Sequence, residues 1–325
     1  MNVLVTGANG LLGHNVVLEL LKRQHSVRII VRSTNDIHYN LDLVDVFKGN
    51  FTHYESLKQA AKGYDAIIHI AAVTTTNLLH YEDYAKINVD GSAQVISVAT
   101  ELNINRIVYV STANTIGFGS EQQPADESFQ IEYPFSGSFY ARSKVASEQL
   151  FVEASRLPDK HIVIINPTFM IGSYDPKPSS GKLILLGYKK RVMVIPKGGK
   201  NFVPVKDVTA VVCNALTLGK NGERYLASGA NLTFNEFYKL QKQIENYQQH
   251  YIEIQDLVLI LVGKVGDLVR KLGIKTELCS MNLSQLMIRE YYSNRKAKAE
   301  LDLAETDLKI AIKEAIDWFK SNNLI

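Results

Sequence analysis

The sequence predicts an α/β protein: a doubly wound parallel sheet followed by a smaller, mainly helical C-terminal portion. Three observations predict it. Short runs rich in Val and Ile alternate with helical windows through the first 165 residues. These runs are apolar almost throughout, as strands covered on both faces require. A glycine-rich turn separates the first run from the first helical window. Repeated strand–helix alternation of this kind builds a parallel sheet with right-handed crossovers.

The elements follow in order. Val3–Thr6, Val27–Val31, Ala66–Ala71, Arg106–Ser111 and Ile162–Asn166 read as strands. Leu12–Arg23, Glu55–Ala61, Tyr84–Leu102 and Tyr140–Ser155 read as the helices between and after them. Beyond Pro167 the pattern changes. Pro176, Pro178, Ser179, Ser180 and Gly181 mark a loop, Leu183–Lys190 a short helix, and Arg224–Ser228 one more strand. From Thr233 onward the chain reads as mostly helical. Residues 1–170 with 202–230 are therefore expected to form the nucleotide-binding part. Residues 171–201 with 231–325 are expected to form the substrate-binding part.

Composition narrows the function classes. The chain has 325 residues, 46% of them apolar and 21% charged, which suits a globular protein of about two domains. Its 36 basic and 33 acidic residues leave a charge of only +3, and no nucleic-acid partner is expected. Cys213 and Cys279, the 2 cysteines, form no metal-binding spacing with the histidines, so no metal site is expected. The N-terminus has no basic region leading an apolar stretch, and a cytoplasmic location is the expectation. The apolar run Leu257–Gly263 is far shorter than the ~20 residues that span a bilayer. It is expected to be a buried helix face rather than a pocket lining or a membrane contact, and no membrane partner is expected.

The turn after the first strand reads Thr6-Gly7-Ala8-Asn9-Gly10-Leu11-Leu12-Gly13. Glycines spaced in this way let the chain turn tightly, approach a pyrophosphate and seat the helix on the sheet. The helix N-terminus adds free N–H groups and a positive dipole end. Gly7, Asn9, Gly10, Leu11, Leu12 and Gly13 are thus candidates for dinucleotide binding on a Rossmann fold. The second strand ends in Val31-Arg32-Ser33-Thr34, with no acid to hold a ribose 2′-hydroxyl. A basic residue there suits a 2′-phosphate, so Arg32 favours NADP(H), with NAD(H) as the alternative.

Tyr140 and Lys144 stand at i and i+4 on a predicted helix, hence on one face. A nearby ammonium stabilises a phenolate and makes tyrosine a usable acid–base group. Ser111-Thr112 ends a strand at the sheet edge where open α/β folds bind ligands. A hydroxyl there can hydrogen-bond a carbonyl oxygen as charge develops on it.

With these motifs the chain resembles the extended short-chain dehydrogenase/reductases, also called the NAD-dependent epimerase/dehydratase family. The resemblance rests on Thr6 to Gly13, on His69, Ala71 and Ala72, and on Asn88, Val89 and Gly91. It extends to Tyr140 and Lys144, to Pro167-Thr168, and to Phe202, Val203, Val205, Asp207 and Val208. It implies a catalytic set of Thr112, Tyr140 and Lys144. It also implies cofactor contacts from Ala71, Ala72 and Val73, from Asn50 and Phe51 in the Gly49-Asn50-Phe51 segment, and from Pro167 and Thr168. Asn88 is a candidate to hold a water near Lys144, or else a helix-packing residue. A homodimer through the helices near 84–102 and 140–156 is implied as well.

Departures narrow the branch. Sugar-nucleotide dehydratases carry two acids after the catalytic threonine, and here those positions are Ala113 and Asn114. Sugar-nucleotide epimerases usually close this loop with Tyr-Gly; here it is Ile116-Gly117. The segments Asn166–Gly172 and Tyr291–Ala297, together with Arg32, resemble the dihydroflavonol reductase-like branch. The expected activity is NADP(H)-dependent reduction of a small-molecule ketone or aldehyde. The alternatives are a sugar-nucleotide epimerase with transient NAD oxidation and a non-catalytic NADP-binding redox sensor.

Overall fold

A computed structural model describes residues 1–325. The first half runs β1 (Asn2–Thr6), α1 (Leu11–Lys22), β2 (Ser26–Val31), β3 (Asp45–Lys48), α2 (Tyr54–Ala61), β4 (Ala66–His69), α3 (Tyr81–Glu101), β5 (Arg106–Val110), α4 (Phe139–Ala154) and β6 (His161–Pro167). The second half runs β7 (Phe169–Ile171), α5 (Lys182–Gly187), β8 (Val192–Ile195), β9 (Gly199–Pro204), α6 (Val205–Asn214), β10 (Arg224–Ala227), β11 (Ala230–Thr233), α7 (Phe234–Glu245), β12 (His250–Glu253), α8 (Asp256–Lys271), α9 (Ser280–Ser284), β13 (Arg289–Glu290), α10 (Arg295–Leu301) and α11 (Leu308–Ser321).

Seven strands form one sheet in the order β10-β6-β5-β4-β1-β2-β3, and every pairing is parallel. The chain winds outward from β1 to β3, then returns to the other side of β1 for β4. The C-terminal ends of β1 and β4 therefore flank the point where winding reverses, where ligands bind such sheets. Successive side chains of a strand face opposite sides. Val3 and Val5 accordingly join the core under α1 and α6, while Leu4 joins the core under α2, α3 and α4. Both faces of the sheet are covered, which is why its strands read as continuous apolar runs.

The later part of the chain carries more strand than its sequence reveals. β7, β9, β11 and β13 form a small mixed sheet, with β9 pairing parallel to β7 and β13 and antiparallel to β11. β8 and β12 pair separately. This part has its own core around Ile184, Phe202, Phe237, Ile312 and Phe319.

One expectation is corrected here. The Leu257–Gly263 run lies on α8, but its apolar side chains face outward: Leu257 is 66% exposed and Leu261 is 55% exposed. The inward positions are Leu259, Gly263 and Gly266. A Cβ on Gly263 would stand 2.8 Å from the Ser280 Cα, and one on Gly266 would collide with the Leu278 carbonyl. Close backbone packing thus claims the small-residue side and turns the leucines out.

Candidate active site

The turn between β1 and α1 is built by its glycines. Gly7 has φ +76°, in the left-handed region that glycine adopts without strain. A Cβ there would also stand 2.7 Å from the Ala71 nitrogen. A Cβ on Gly13 would collide with the Gly7 carbonyl oxygen. These two glycines therefore serve the fold itself. Gly10 differs: its nearest neighbour would be 3.7 Å away, so folding does not demand it. Gly10 is also the N-cap of α1 without a side-chain cap, and the N–H groups of Leu11, Leu12 and Gly13 have no partner in the chain. An open glycine beside three unpaired N–H groups and a helix dipole is a cradle for a phosphate. These residues fit the diphosphate of a dinucleotide.

The neighbouring strand ends complete the edge. Thr6 Oγ1 accepts from the N–H of Ala71 at 3.2 Å, fixing the loop of Ala71, Ala72 and Val73 against β1. Arg32 is exposed just past β2, with no carboxylate of its own strand end beside it. Asn50 and Phe51 follow β3, and the Phe51 ring sits 5.5 Å from the His69 ring and against Gly91. His69 bridges Thr6 Oγ1, 2.7 Å from its Nδ1, and burial pushes its pKa down to about 3. It is a neutral strut. Pro167 pairs in register with Ala227, and the Thr168 hydroxyl donates to Asn201 Oδ1 at 2.6 Å.

Asn88 uses its whole amide within the protein. Its Oδ1 accepts from the Val73 N–H at 2.8 Å, and its Nδ2 donates to the Val73 carbonyl and, at 2.9 Å, to the Ser143 hydroxyl. It therefore clamps the loop after β4 to α4. Of the two readings given by the sequence, the packing one describes this geometry.

Thr112 and Tyr140 lie near each other. Thr112 follows β5 and caps a short turn, its Oγ1 accepting from the Asn114 N–H at 3.3 Å. Ser138 caps α4, which places Tyr140 in its first turn, with the Thr112 hydroxyl near enough to act on it. Burial pushes Tyr140 up to about 12, and the nearby Thr112 hydroxyl offsets only part of that. Lys144 is 2% exposed. Its Nζ donates to the Val110 carbonyl at 2.9 Å and stands 4.3 Å over the Tyr109 ring. Burial lowers its pKa to about 7, with the Glu148 charge opposing. The expectation that Lys144 draws Tyr140 toward neutral pH is not met in the chain by itself, because desolvation governs both groups.

Glu148 is the residue sequence reasoning missed. It is buried, accepts from Thr115 Oγ1 at 2.8 Å and from Asn166 Nδ2, and lies 3.8 Å from Arg224. Burial raises its pKa above the usual carboxylate value, against these partners. The signal was present: Tyr140, Lys144 and Glu148 recur at four-residue spacing on one helix. Ala113 and Asn114 occupy the turn beyond Thr112 and bring no acid to it.

A parallel sheet with a glycine turn at its switch point and a Thr/Tyr/Lys set on the adjoining edge defines a nucleotide-dependent oxidoreductase. The sequence profile of the NAD dependent epimerase/dehydratase family matches residues 3–227, and the chain belongs to that family. It is 27% identical over 333 residues to sterol demethylase protein B of Methylococcus capsulatus, covering 100% of both chains. It is 28% identical over 339 residues to a putative dihydroflavonol 4-reductase of Synechocystis, covering 99% of this chain and 95% of that one. The crystal structure of gox2253 superposes with a TM-score of 0.83 at 28% identity, covering 98% of each chain. The protein is an NAD(P)-dependent oxidoreductase of that family.

Proposed function

We propose that the protein is an NADP(H)-dependent reductase of ketones or aldehydes, with Thr112, Tyr140 and Lys144 as its catalytic residues. The observation that carries this reading is the placement of Tyr140, in the first turn of α4, near Thr112 at the end of β5, with Lys144 buried one turn further along the same helix face. The full-length likeness to a putative dihydroflavonol 4-reductase supports the reaction class. The neutral Ala113 and Asn114 argue against an elimination that needs two proton-transferring acids.

The cofactor, when bound, supplies a hydride for the carbonyl carbon. The chain's residues handle the oxygen. Thr112 donates a hydrogen bond to it and holds it beside Tyr140. Tyr140, held up to about 12 by burial, carries its proton at any working pH and gives it to the developing alkoxide. Lys144, when protonated, places positive charge on the face where the phenolate forms. The uncapped N-terminus of α1 holds the diphosphate, and Arg32 pairs with a 2′-phosphate. Residues 171–201 and 231–325 supply the substrate-binding part, and two copies pair through α3 and α4.

Tyr140→Phe tests the reading. Turnover of a carbonyl panel with NADPH should fall to background while NADPH binding, read by fluorescence, stays within about threefold. Substantial remaining turnover would remove Tyr140 from the proposed role.

A further inference from the structure

The outward face of α8 is an apolar feature that the candidate site does not explain. On a helix of 100° per residue, Leu257, Leu261, Val265, Leu268 and Leu272 fall within about 80° of arc. Each is between 55% and 73% exposed. An ordinary surface helix points such residues inward. Exposed patches of this kind mark interaction surfaces.

Charge identifies the occupant. Lys264 and Lys271 lie beside the leucine face, and Lys275 follows the helix, all three exposed. The acids of the stretch are turned away or tied down. Asp267 accepts from the Ser280 N–H at 3.0 Å, Glu277 pairs with Lys182, and Asp256 is half-buried in the first turn. An apolar face rimmed by free lysines complements an anionic lipid surface. A second copy placed on the same face by two-fold symmetry would bring a second set of the same lysines, with no free acid to pair them.

The helix also sits beside the candidate site. Arg270 donates to the Leu78 carbonyl at 2.6 Å, and Asn282 donates to Thr76 Oγ1 at 3.2 Å. Both hold the loop that continues from Ala71–Val73. Met281 of α9 packs against Gly137, just ahead of Tyr140.

We propose that α8 lies flat in the interface of an anionic bilayer and seats the loops flanking the candidate site at the membrane surface. No helix of the chain is long and apolar enough to cross a membrane, so the contact is a surface one. The proposal revises the expectation of no membrane partner. Its corollary, that the carbonyl substrate is a lipid dissolved in that bilayer, rests on the reductase reading above; the docking does not.

Flotation of the full chain with phosphatidylcholine vesicles, with and without phosphatidylglycerol, tests it. The wild type should float with the anionic vesicles about tenfold more than with the neutral ones, and less as salt rises. The combined variant Leu261→Glu, Val265→Glu, Leu268→Glu should lose flotation about tenfold or more. So should Lys264→Glu, Lys271→Glu, Lys275→Glu, whose residues make no core contact. Absence of wild-type flotation with anionic vesicles would overturn the proposal. So would a sedimenting dimer that the leucine-face variant converts to monomer, since a second copy would then be the occupant. Turnover of water-soluble ketones is measured alongside in the wild type. Its absence in the wild type would count against the reductase reading and leave the flotation result standing.

Discussion

Replacing Lys144 with Met should make the protein more stable at neutral pH and flatten its pH dependence. The ammonium is 2% exposed, and burial lowers its pKa from 10.5 to about 7. At about 1.4 kcal/mol per pH unit, that gap is worth on the order of 5 kcal/mol. Between about pH 7 and 10.5 the unfolded chain holds a proton that the folded chain has released. Wild-type stability therefore rises with pH through this window, and the full penalty of the buried charge is present below it. Met fits the stem of the side chain but carries no proton. It also leaves the Val110 carbonyl without its donor, a pH-independent loss of about 1 kcal/mol. The diagnostic is therefore the slope rather than the offset. Urea unfolding of both cofactor-free proteins should show the wild type gaining about 3 to 5 kcal/mol on Lys144→Met between pH 6 and 10. Parallel profiles across that range would refute the claim that the site holds a desolvated lysine.

Other expectations follow from the same contacts. Gly13→Ala should unfold the protein by about 3 kcal/mol or more in chemical denaturation, because its Cβ meets the Gly7 carbonyl; Gly10→Ala should keep wild-type stability yet weaken NADPH binding at least about tenfold in calorimetry. Asn88→Ala should cost about 1 to 3 kcal/mol of stability in urea unfolding by releasing Val73 and Ser143. Arg32→Ala should weaken NADPH binding about tenfold while leaving NADH within about twofold; an equal loss for both would assign Arg32 to the adenine rather than the 2′-phosphate.

The first half of the fold was readable because its strands are covered on both faces. Ile67 and Ile68 need no periodicity to announce a strand when every position is buried. β3 escaped notice because Asp45–Lys48 is an edge strand with two exposed ends and only half-buried Val46 and Phe47. The small second sheet was illegible for another reason. β11, Ala230–Thr233, is half-buried at every residue, and β13 is only Arg289–Glu290, so neither carries a local pattern. Their pairing with β9 is decided by partners far away in sequence. The glycine turn and the Tyr140/Lys144 spacing were legible because their chemistry is local. The pKa values were not, since burial of Lys144 depends on β5 and its Tyr109 ring. α8 shows the opposite failure: its leucines carry a clear apolar signal, but Gly263 and Gly266 decide which way that signal faces.

The crossing at Thr168 bears on how such a chain can be re-engineered. β6 passes directly into β7, β9 runs straight into α6, and β10 is followed at once by β11. Each of these junctions links the large sheet or its covering helix to the small one. β9 itself holds partners from three separated stretches: Phe169–Ile171, Ala230–Thr233 and Arg289–Glu290. A new specificity therefore cannot be installed by exchanging one contiguous cassette. Grafting residues 171–201 alone would cut β9 itself after Asn201, and grafting 231–325 alone would replace β13 and most of β11 while leaving the old β9 between them. Chimaeras in this scaffold have to be cut at all three junctions together, so natural variation in the pocket should arise more readily from point changes than from segment exchange.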